Sequence, residues 1–172
     1  MALFAQVREK TGQVTTLIEN RKLNNAEWLA TENGLSLYIE RNGQTILFDA
    51  GGSEKFVRNA EVLGVDLRNV DIVVISHGHM DHIGGLPYFM GMNNRATTYM
   101  SKNAQNSLES KALVSKTEEE YSHRIQFVDV FTEIAKDIYI LTEIQGIEPI
   151  RSRVDHEIVL VLRDKSGITL FT

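Results

Sequence analysis

The sequence predicts a strand-rich layered domain of the α/β or α+β class. Short apolar segments rich in β-branched residues recur along the chain, and the dipeptide Asn42-Gly43 separates two of them. Because Asn-Gly supplies the positive φ angles of a tight turn, it predicts a β-hairpin. Fewer segments show the spacing of an amphipathic helix. A chain of 172 residues, 42% of them hydrophobic, is expected to form one domain with its own core.

In the first half of the chain, three strands are predicted before a helix. The strands run from Val14 to Glu19, from Leu35 to Glu40 and from Thr45 to Phe48. The helix is expected from about Glu54 to Leu63, with Ser53 as its N-terminal cap, an apolar stripe at helical spacing, and a glycine at its C-terminal stop. The stripe and the stop consist of Phe56, Val57, Ala60, Leu63 and Gly64.

A continuous apolar segment, Asp71 to Ile75, predicts a strand that is covered on both faces. A weaker helix is expected from Lys102 to Val114. The turn from Asp164 to Gly167 predicts a hairpin near the end of the sequence. The other predicted strands are Ala96 to Met100, Gln126 to Val130, Ile138 to Thr142, Ile158 to Leu162 and Ile168 to Phe171.

Composition excludes several classes of site. The chain has no cysteine, which excludes disulfides, thiolate-bound zinc and a cysteine nucleophile within it. The net charge of −5 gives no general attraction to phosphate backbones, so no nucleic-acid partner is expected. No segment approaches the roughly 20 apolar residues of a membrane span, and no signal peptide is evident. We therefore expect a cytoplasmic protein that takes a small-molecule substrate and has no membrane partner.

The segment from Ser76 to His82 carries the chemistry. His77, His79, Asp81 and His82 are four possible metal ligands within six positions. In an extended segment, side chains two residues apart point to the same side, so the first two histidines can converge on one cation. Imidazole with carboxylate suits zinc, iron or manganese better than calcium or magnesium. The glycines around these ligands, Gly78, Gly84 and Gly85, allow a tight backbone path.

This string resembles the H-x-H-x-D-H signature of the metallo-β-lactamase superfamily. The flanking residues are similar too, from Leu47 to Gly51 before the buried strand and from Gly84 to Leu86 after the ligands. The segment from Asn59 to Asp66 resembles the branch of dihydropterin-related phosphate synthases. The resemblance implies an α+β fold, the αββα sandwich, of which this chain would contain the N-terminal portion.

The resemblance also implies roles for single residues. His77 and His79 would bind a first metal, and Asp81 and His82 a second, with Asp81 also counted as catalytic. Asp49 would orient a ligand imidazole through the ring nitrogen that is not on the metal. Zinc is the first expectation for both metals, with iron or manganese as alternatives. In the family, metal-bound hydroxide attacks an ester, amide or phosphate centre; no residue is assigned to substrate binding.

The family pattern contains further ligands after the last predicted strand, where this sequence ends at Thr172. We therefore expect a single truncated domain over residues 1–172, with two ligands for each metal, and partial or no metal occupancy. An apolar sheet face and an unpaired edge would be exposed. A homodimer, or a partner that covers this face, is then expected.

Two other functions remain open from the sequence. The chain could be a non-catalytic half-domain that acts by dimerisation or with a partner, or a redox protein with a diiron centre. His156 is a conceivable replacement ligand, although a solvated loop is expected there, and His123 is expected at the surface. Arg151 and Arg153 are weaker candidates to bind a phosphate.

Overall fold

The computed structural model describes residues 12–41, 43–104, 108–147 and 154–172. These residues form two sheets and four α-helices, and none of the described helices has the length and apolarity of a membrane span. The first sheet has six strands in chain order, β1 to β6. Its first three strands are antiparallel, and β3 to β6 run parallel. The six strands are Gln13–Ile18, Ser36–Arg41, Gln44–Phe48, Ile72–Val74, Thr97–Ser101 and Ile125–Val128.

The second sheet is antiparallel and contains four strands in the order β10-β9-β8-β7. These strands are β7 Thr132–Ala135, β8 Ile138–Ile147, β9 Val154–Asp164 and β10 Gly167–Phe171. The helices are α1 Lys55–Val62, α2 Met80–Ile83, α3 Leu86–Met92 and α4 Leu108–Tyr121. Three-residue 3₁₀ turns, Leu67–Asn69 and Ser122–Arg124, precede β4 and β6.

The two sheets pack face to face through one apolar layer. In β3, Ile46 and Phe48 point into this layer, whereas Leu47 between them points to the opposite face. Ile140 and Leu160 from the second sheet belong to the same layer. All five side chains are fully buried, and burying an aliphatic or aromatic side chain of this size stabilises a fold by about 1.5–3 kcal/mol.

The opposite face of the first sheet is covered by helices. Phe56 and Ala60 of α1 and Phe89 of α3 join Leu47 and Val73 in a second apolar core. The layers are therefore helix, sheet, sheet among the described residues, which is the α+β sandwich that the sequence predicts.

Asn59 on α1 is the polar exception in this core. Its side-chain oxygen accepts from the Ala30 backbone N–H at 2.9 Å. Its amide donates to the carbonyls of Leu17 and Ala30 at 2.6 and 2.8 Å. All its hydrogen bonds go to backbone groups of β1 and of the loop between β1 and β2, so this buried asparagine attaches the loop to the helix.

The predicted elements are present, with several corrections. The N-cap of α1 is Glu54 rather than Ser53, although the Ser53 hydroxyl still accepts from the Lys55 N–H at 3.3 Å. Gly64, with φ of 72°, ends the helix as expected. The predicted helix from Lys102 to Val114 lies further along the chain, because Ser101 to Asn103 form a turn. Strand β7 was not predicted.

The expectation of an uncovered face on the first sheet is wrong. The second sheet, built from this chain's own later strands, covers it. On the second sheet, Ile168 and Leu170 of β10 are 65% and 58% exposed. The predicted Asn42-Gly43 turn joins β2 and β3, and Gly43 has the positive φ; Asn42 lies outside the described residues.

Candidate metal centre

The segment from Ser76 to His82, which contains the predicted metal ligands, lies where two neighbouring parallel strands end. Phe48 of β3 pairs with Val74 of β4, and the next residue, Asp49, donates its backbone N–H to the Val74 carbonyl at 2.9 Å. Ser76 follows β4 by two residues. Carboxyl ends of parallel strands share one edge of a sheet, which is the usual place for a site in open α/β sheets. The chain then continues through His77 and His79 into the short helix α2.

Asp49 connects the residues of the segment to this edge of the sheet. It is fully buried and has φ of 57°, a left-handed conformation that aspartate tolerates better than most residues. Its Oδ1 accepts from the Ser76 backbone N–H at 2.7 Å, and its Oδ2 accepts from the Ser76 hydroxyl at 2.8 Å. The same Oδ2 lies 2.8 Å from Nδ1 of His82. One carboxylate therefore fixes both the start and the end of the segment.

The contact with Asp49 determines how His82 is oriented. With Nδ1 held by the carboxylate, Nε2 points towards Asp81, whose Oδ2 lies 3.8 Å away. Burial lowers the pKa of His82, but the hydrogen bond and charge of Asp49, together with the charges of Asp81 and Glu157, outweigh burial and raise the pKa above its ordinary 6.5. The surroundings of His82 thus favour a positive charge, from a proton or from a cation.

His77 is oriented indirectly. The Ser76 hydroxyl gives its one proton to Asp49, so its oxygen can accept from Nδ1 of His77, which lies 2.9 Å away. This assignment of protons leaves Nε2 of His77 with its lone pair. That nitrogen lies 3.0 Å from Nδ1 of His79. This is an ordinary hydrogen-bond distance, so the two imidazoles lie next to each other, as the sequence predicts.

The four predicted ligands therefore form two adjacent pairs, His77 with His79 and Asp81 with His82. The rings of His77 and His82 are 4.2 Å apart between centroids, which brings the pairs side by side. Within the described ranges, no group of three or more histidine, cysteine, aspartate or glutamate side chains is arranged to hold a metal. The donor chemistry fits zinc, and each pair would supply two of the three or four ligands of a zinc site.

The tight backbone path predicted for the glycines is present. At Gly78, between the first two histidines, an added Cβ would overlap the backbone carbonyl of Ala104 in the loop after β5. Only glycine allows the segment to lie this close to that loop.

The other candidates do not join the two pairs. His123 is exposed in the turn before β6, at the opposite end of the parallel strands. The backbone of His156 belongs to β9, opposite Gln145, rather than to a loop, but its side chain lies outside the described part of the structure. Arg151 and Arg153 lie outside it as well. The metal-binding and catalytic roles assigned above stay predictions.

Three residues of this region were missed in the sequence. The Ser76 hydroxyl connects Asp49 to His77, and the signal available was its place directly before the first histidine. Glu157 lies beside the segment, because the next residue, Ile158, donates its N–H to the Ser76 carbonyl at 2.8 Å. Asn33 donates to Asp81 Oδ2 at 3.0 Å from 48 positions away, and no local pattern indicates this contact.

Comparison with known proteins shows the family of this chain. A sequence model described as the metallo-β-lactamase superfamily matches residues 30–167. The chain is 39% identical over 61 residues to 7,8-dihydropterin-6-methyl-4-(β-D-ribofuranosyl)-aminobenzene-5′-phosphate synthase of Methanocaldococcus jannaschii, a match that covers 33% of this chain and 21% of that protein. Ribonuclease Z of Bacillus mycoides is 31% identical over 103 residues, which is 55% of this chain and 32% of the relative. The matched segments thus span about a fifth to a third of these relatives' length.

Solved structures give the same fold. A metal-dependent hydrolase of the β-lactamase superfamily superposes with a TM-score of 0.65 and 25% identity, over 92% of this chain and 64% of that one. A quorum-quenching N-acyl homoserine lactone lactonase, at 17% identity, superposes with a TM-score of 0.55 over 79% of this chain and 58% of the other. The superfamily match extends over well more than half of the sequence. This chain therefore belongs to the metallo-β-lactamase superfamily.

Proposed function

We propose that this chain is a metal-dependent hydrolase that acts on a phosphoester or a related small-molecule ester or amide. The observation that carries the proposal is the pair of donor sets, His77 with His79 and Asp81 with His82, side by side and linked through Asp49. These four residues would hold zinc, with iron or manganese as alternatives. When bound, zinc supplies a nucleophile near neutral pH, because it lowers the pKa of water.

The residues of the chain have separable tasks in this proposal. Asp49 holds the proton on Nδ1 of His82, and Ser76 does the same for His77, so that both Nε2 atoms present lone pairs. Asp81 contributes the one carboxylate within the four-ligand set and is the residue proposed as catalytic. The carboxylates near His82 also make this edge of the sheet favourable for positive charge.

Phosphoesters are preferred as substrates because two of the relatives are named a phosphate synthase and a ribonuclease. The net charge of −5 favours a small phosphoester over a long RNA strand. An RNA oligonucleotide is therefore the comparison substrate. Faster turnover of RNA than of small phosphodiesters would contradict the proposed substrate size.

Metal content and turnover test the proposal together. We expect zinc in the purified protein by mass spectrometry, and hydrolysis of a chromogenic phosphodiester. His79→Ala should lose both, because it removes half of the first donor pair. His123→Ala is the matched control, since it removes an exposed histidine remote from the site and should change neither. Unchanged metal content in His79→Ala would exclude this site, and a metal-loaded protein that cleaves no ester or amide would exclude the hydrolase.

Two observations favour a second function. Within the described residues the donors form pairs rather than a complete metal site, and Ile168 and Leu170 are exposed on β10. A non-catalytic module that associates with a second copy, or with a partner, through this face would need neither metal nor turnover. Analytical ultracentrifugation separates the two: a metal-free dimer without turnover supports association, and a metal-loaded monomer opposes it.

A further inference from the structure

A segment outside the predicted ligands contacts one of them directly. Residues 31–35, called here the strap, lie between β1 and β2. The Asn33 amide donates to Asp81 Oδ2 at 3.0 Å. This oxygen is the one that faces Nε2 of His82 at 3.8 Å. The Asp81 side chain is 32% exposed, so without the amide its carboxylate is free to turn towards water.

Glu32 fixes the strap to the chain beside the ligands. Its Oε1 accepts from the backbone N–H groups of Gly52 and Ser53 at 3.0 and 3.1 Å, and its Oε2 accepts from the Ser53 hydroxyl at 2.7 Å. Lys55 forms an ion pair with the same carboxylate at 3.5 Å. The Glu32 side chain is only 12% exposed. Four contacts to one carboxylate leave the neighbouring Asn33 little freedom to move.

The backbone of the strap also lies against the backbone of Asp81. Gly34 has φ of 132°, and a Cβ there would overlap the Asp81 carbonyl oxygen. At the end of the strap, the Leu35 carbonyl accepts from the Gly51 N–H at 2.9 Å. Close backbone contact and a hydrogen bond on each side of Asn33 place its amide at a defined distance from Asp81.

We propose that Asn33 is a positioning residue that sets the orientation of the Asp81 carboxylate towards His82, and that Glu32 holds Asn33 in place. The inference rests on the proposed function, because it takes Asp81 and His82 as a metal-binding pair. The amide occupies one lone-pair direction of Oδ2 and leaves the others for a cation. Partners that orient metal ligands typically contribute 10–100-fold to metal affinity. Because Asn33 is exposed, we expect about tenfold, the lower end of that range.

Zinc titration against a chromophoric chelator tests this, with the metal-free melting temperature as a second readout. The Asn33→Ala variant should bind the zinc held by Asp81 and His82 about tenfold less tightly than wild type does. Its melting temperature should be unchanged. Asn33→Gln, which keeps an amide donor, should recover part of the loss. Asn94→Ala removes an exposed asparagine between α3 and β5 and should behave as wild type. A merely structural role for Asn33 would lower the melting temperature and weaken both metals alike.

The two proposals fail in different ways. Asp81→Ala serves as the reference for loss of the second donor pair. Weaker zinc binding in Asp81→Ala with wild-type binding in Asn33→Ala would overturn the role of Asn33 and leave the metal site intact. A wild-type protein that binds no zinc, or an Asp81→Ala variant that binds zinc as wild type does, would overturn the proposed pair itself and the inference with it.

Discussion

Replacing Asp49 by asparagine separates the folding role of this residue from its role at the ligands. Asparagine has the same shape and adopts positive φ at least as readily, so the backbone at 57° is not disturbed. The Ser76 backbone N–H can only donate, so the amide oxygen of asparagine should take the place of Oδ1. The NH₂ group then stands where Oδ2 accepted from the Ser76 hydroxyl and contacted His82.

The substitution should affect the free energy of unfolding less than it affects metal binding by His82. One buried oxygen that accepted hydrogen bonds becomes a donor, and a buried unmade hydrogen bond costs about 1–3 kcal/mol. Against a typical total of about 5–15 kcal/mol, the variant should still fold. The new NH₂, however, requires an acceptor at Nδ1 of His82. The ring proton then moves to Nε2, which loses the lone pair that a metal needs.

We therefore expect Asp49→Asn to fold, to lose about 1–3 kcal/mol in urea unfolding, and to bind its second zinc about 10–100-fold more weakly. Urea unfolding of the metal-free protein and zinc titration measure the two effects separately. Asp129→Asn, which changes an exposed aspartate paired with Lys102, is the matched control for loss of one carboxylate. Wild-type zinc affinity in a well-folded Asp49→Asn would refute the argument from the proton on His82.

Three further predictions follow from the same structure. The pKa of His82 is raised above 6.5 in the folded state. Its ion pair with Asp49 therefore stabilises the metal-free protein fully below pH 6.5, and this stabilisation is lost as the pH rises through the higher folded pKa. Urea unfolding between pH 6 and 9 should show the loss in wild type and not in His82→Gln. Asn59→Ala removes the partner of the buried Leu17 carbonyl and of the half-buried backbone groups of Ala30, and should cost about 1–3 kcal/mol; a wild-type melting temperature would contradict it. Gly78→Ala should destabilise the protein, because its Cβ would overlap the Ala104 carbonyl. Gly91→Ala in helix α3 is the control: a Cβ there meets nothing within 4 Å, so it should be neutral or stabilise by up to about 1 kcal/mol. Equal melting temperatures of the two variants would refute the steric argument.

The elements that the sequence predicts well are those with local signals. The β2–β3 hairpin follows from one dipeptide, and β4 from an uninterrupted apolar run. Strand β7 was missed because Ile134 is its one large apolar residue and β-propensity alone is a weak signal. Strands β8 and β9 extend beyond their predicted limits, to Ile147 and from Val154. The added residues pair across the ladder, but they mix apolar and polar types without the alternation that predicts a strand.

The candidate site also contains residues that the sequence indicates and contacts that it does not. The proposed ligands and Asp49 could be singled out in the sequence because their types and spacing are local and chemically specific. The contacts of Glu32 and Asn33 are not, because they join positions 20 to 48 residues apart and depend on how the loop between β1 and β2 folds over the sheet edge. The same holds for the covered face of the first sheet: β8, β9 and β10 of the second sheet are each predicted singly, but their packing on the first sheet depends on the assembled chain.

The hydrogen bonds around Asp49 can orient the proposed ligands His82 and His77 before any metal binds. Its carboxylate bonds to groups on both sides of the segment, and its backbone N–H is already fixed to Val74 of the next strand. The orientation of His82 is therefore set by the same hydrogen bonds that end β3 and β4, and that of His77 follows through Ser76. In the proposed site, a metal would meet imidazoles whose Nδ1 atoms are already held by Asp49 and Ser76, so less ordering would be needed at binding. Among the described residues, no hydrogen bond joins the Asp81 side chain to the sheet, and Asn33 of the strap orients it. Asp81 is therefore the proposed ligand whose position depends most on a loop.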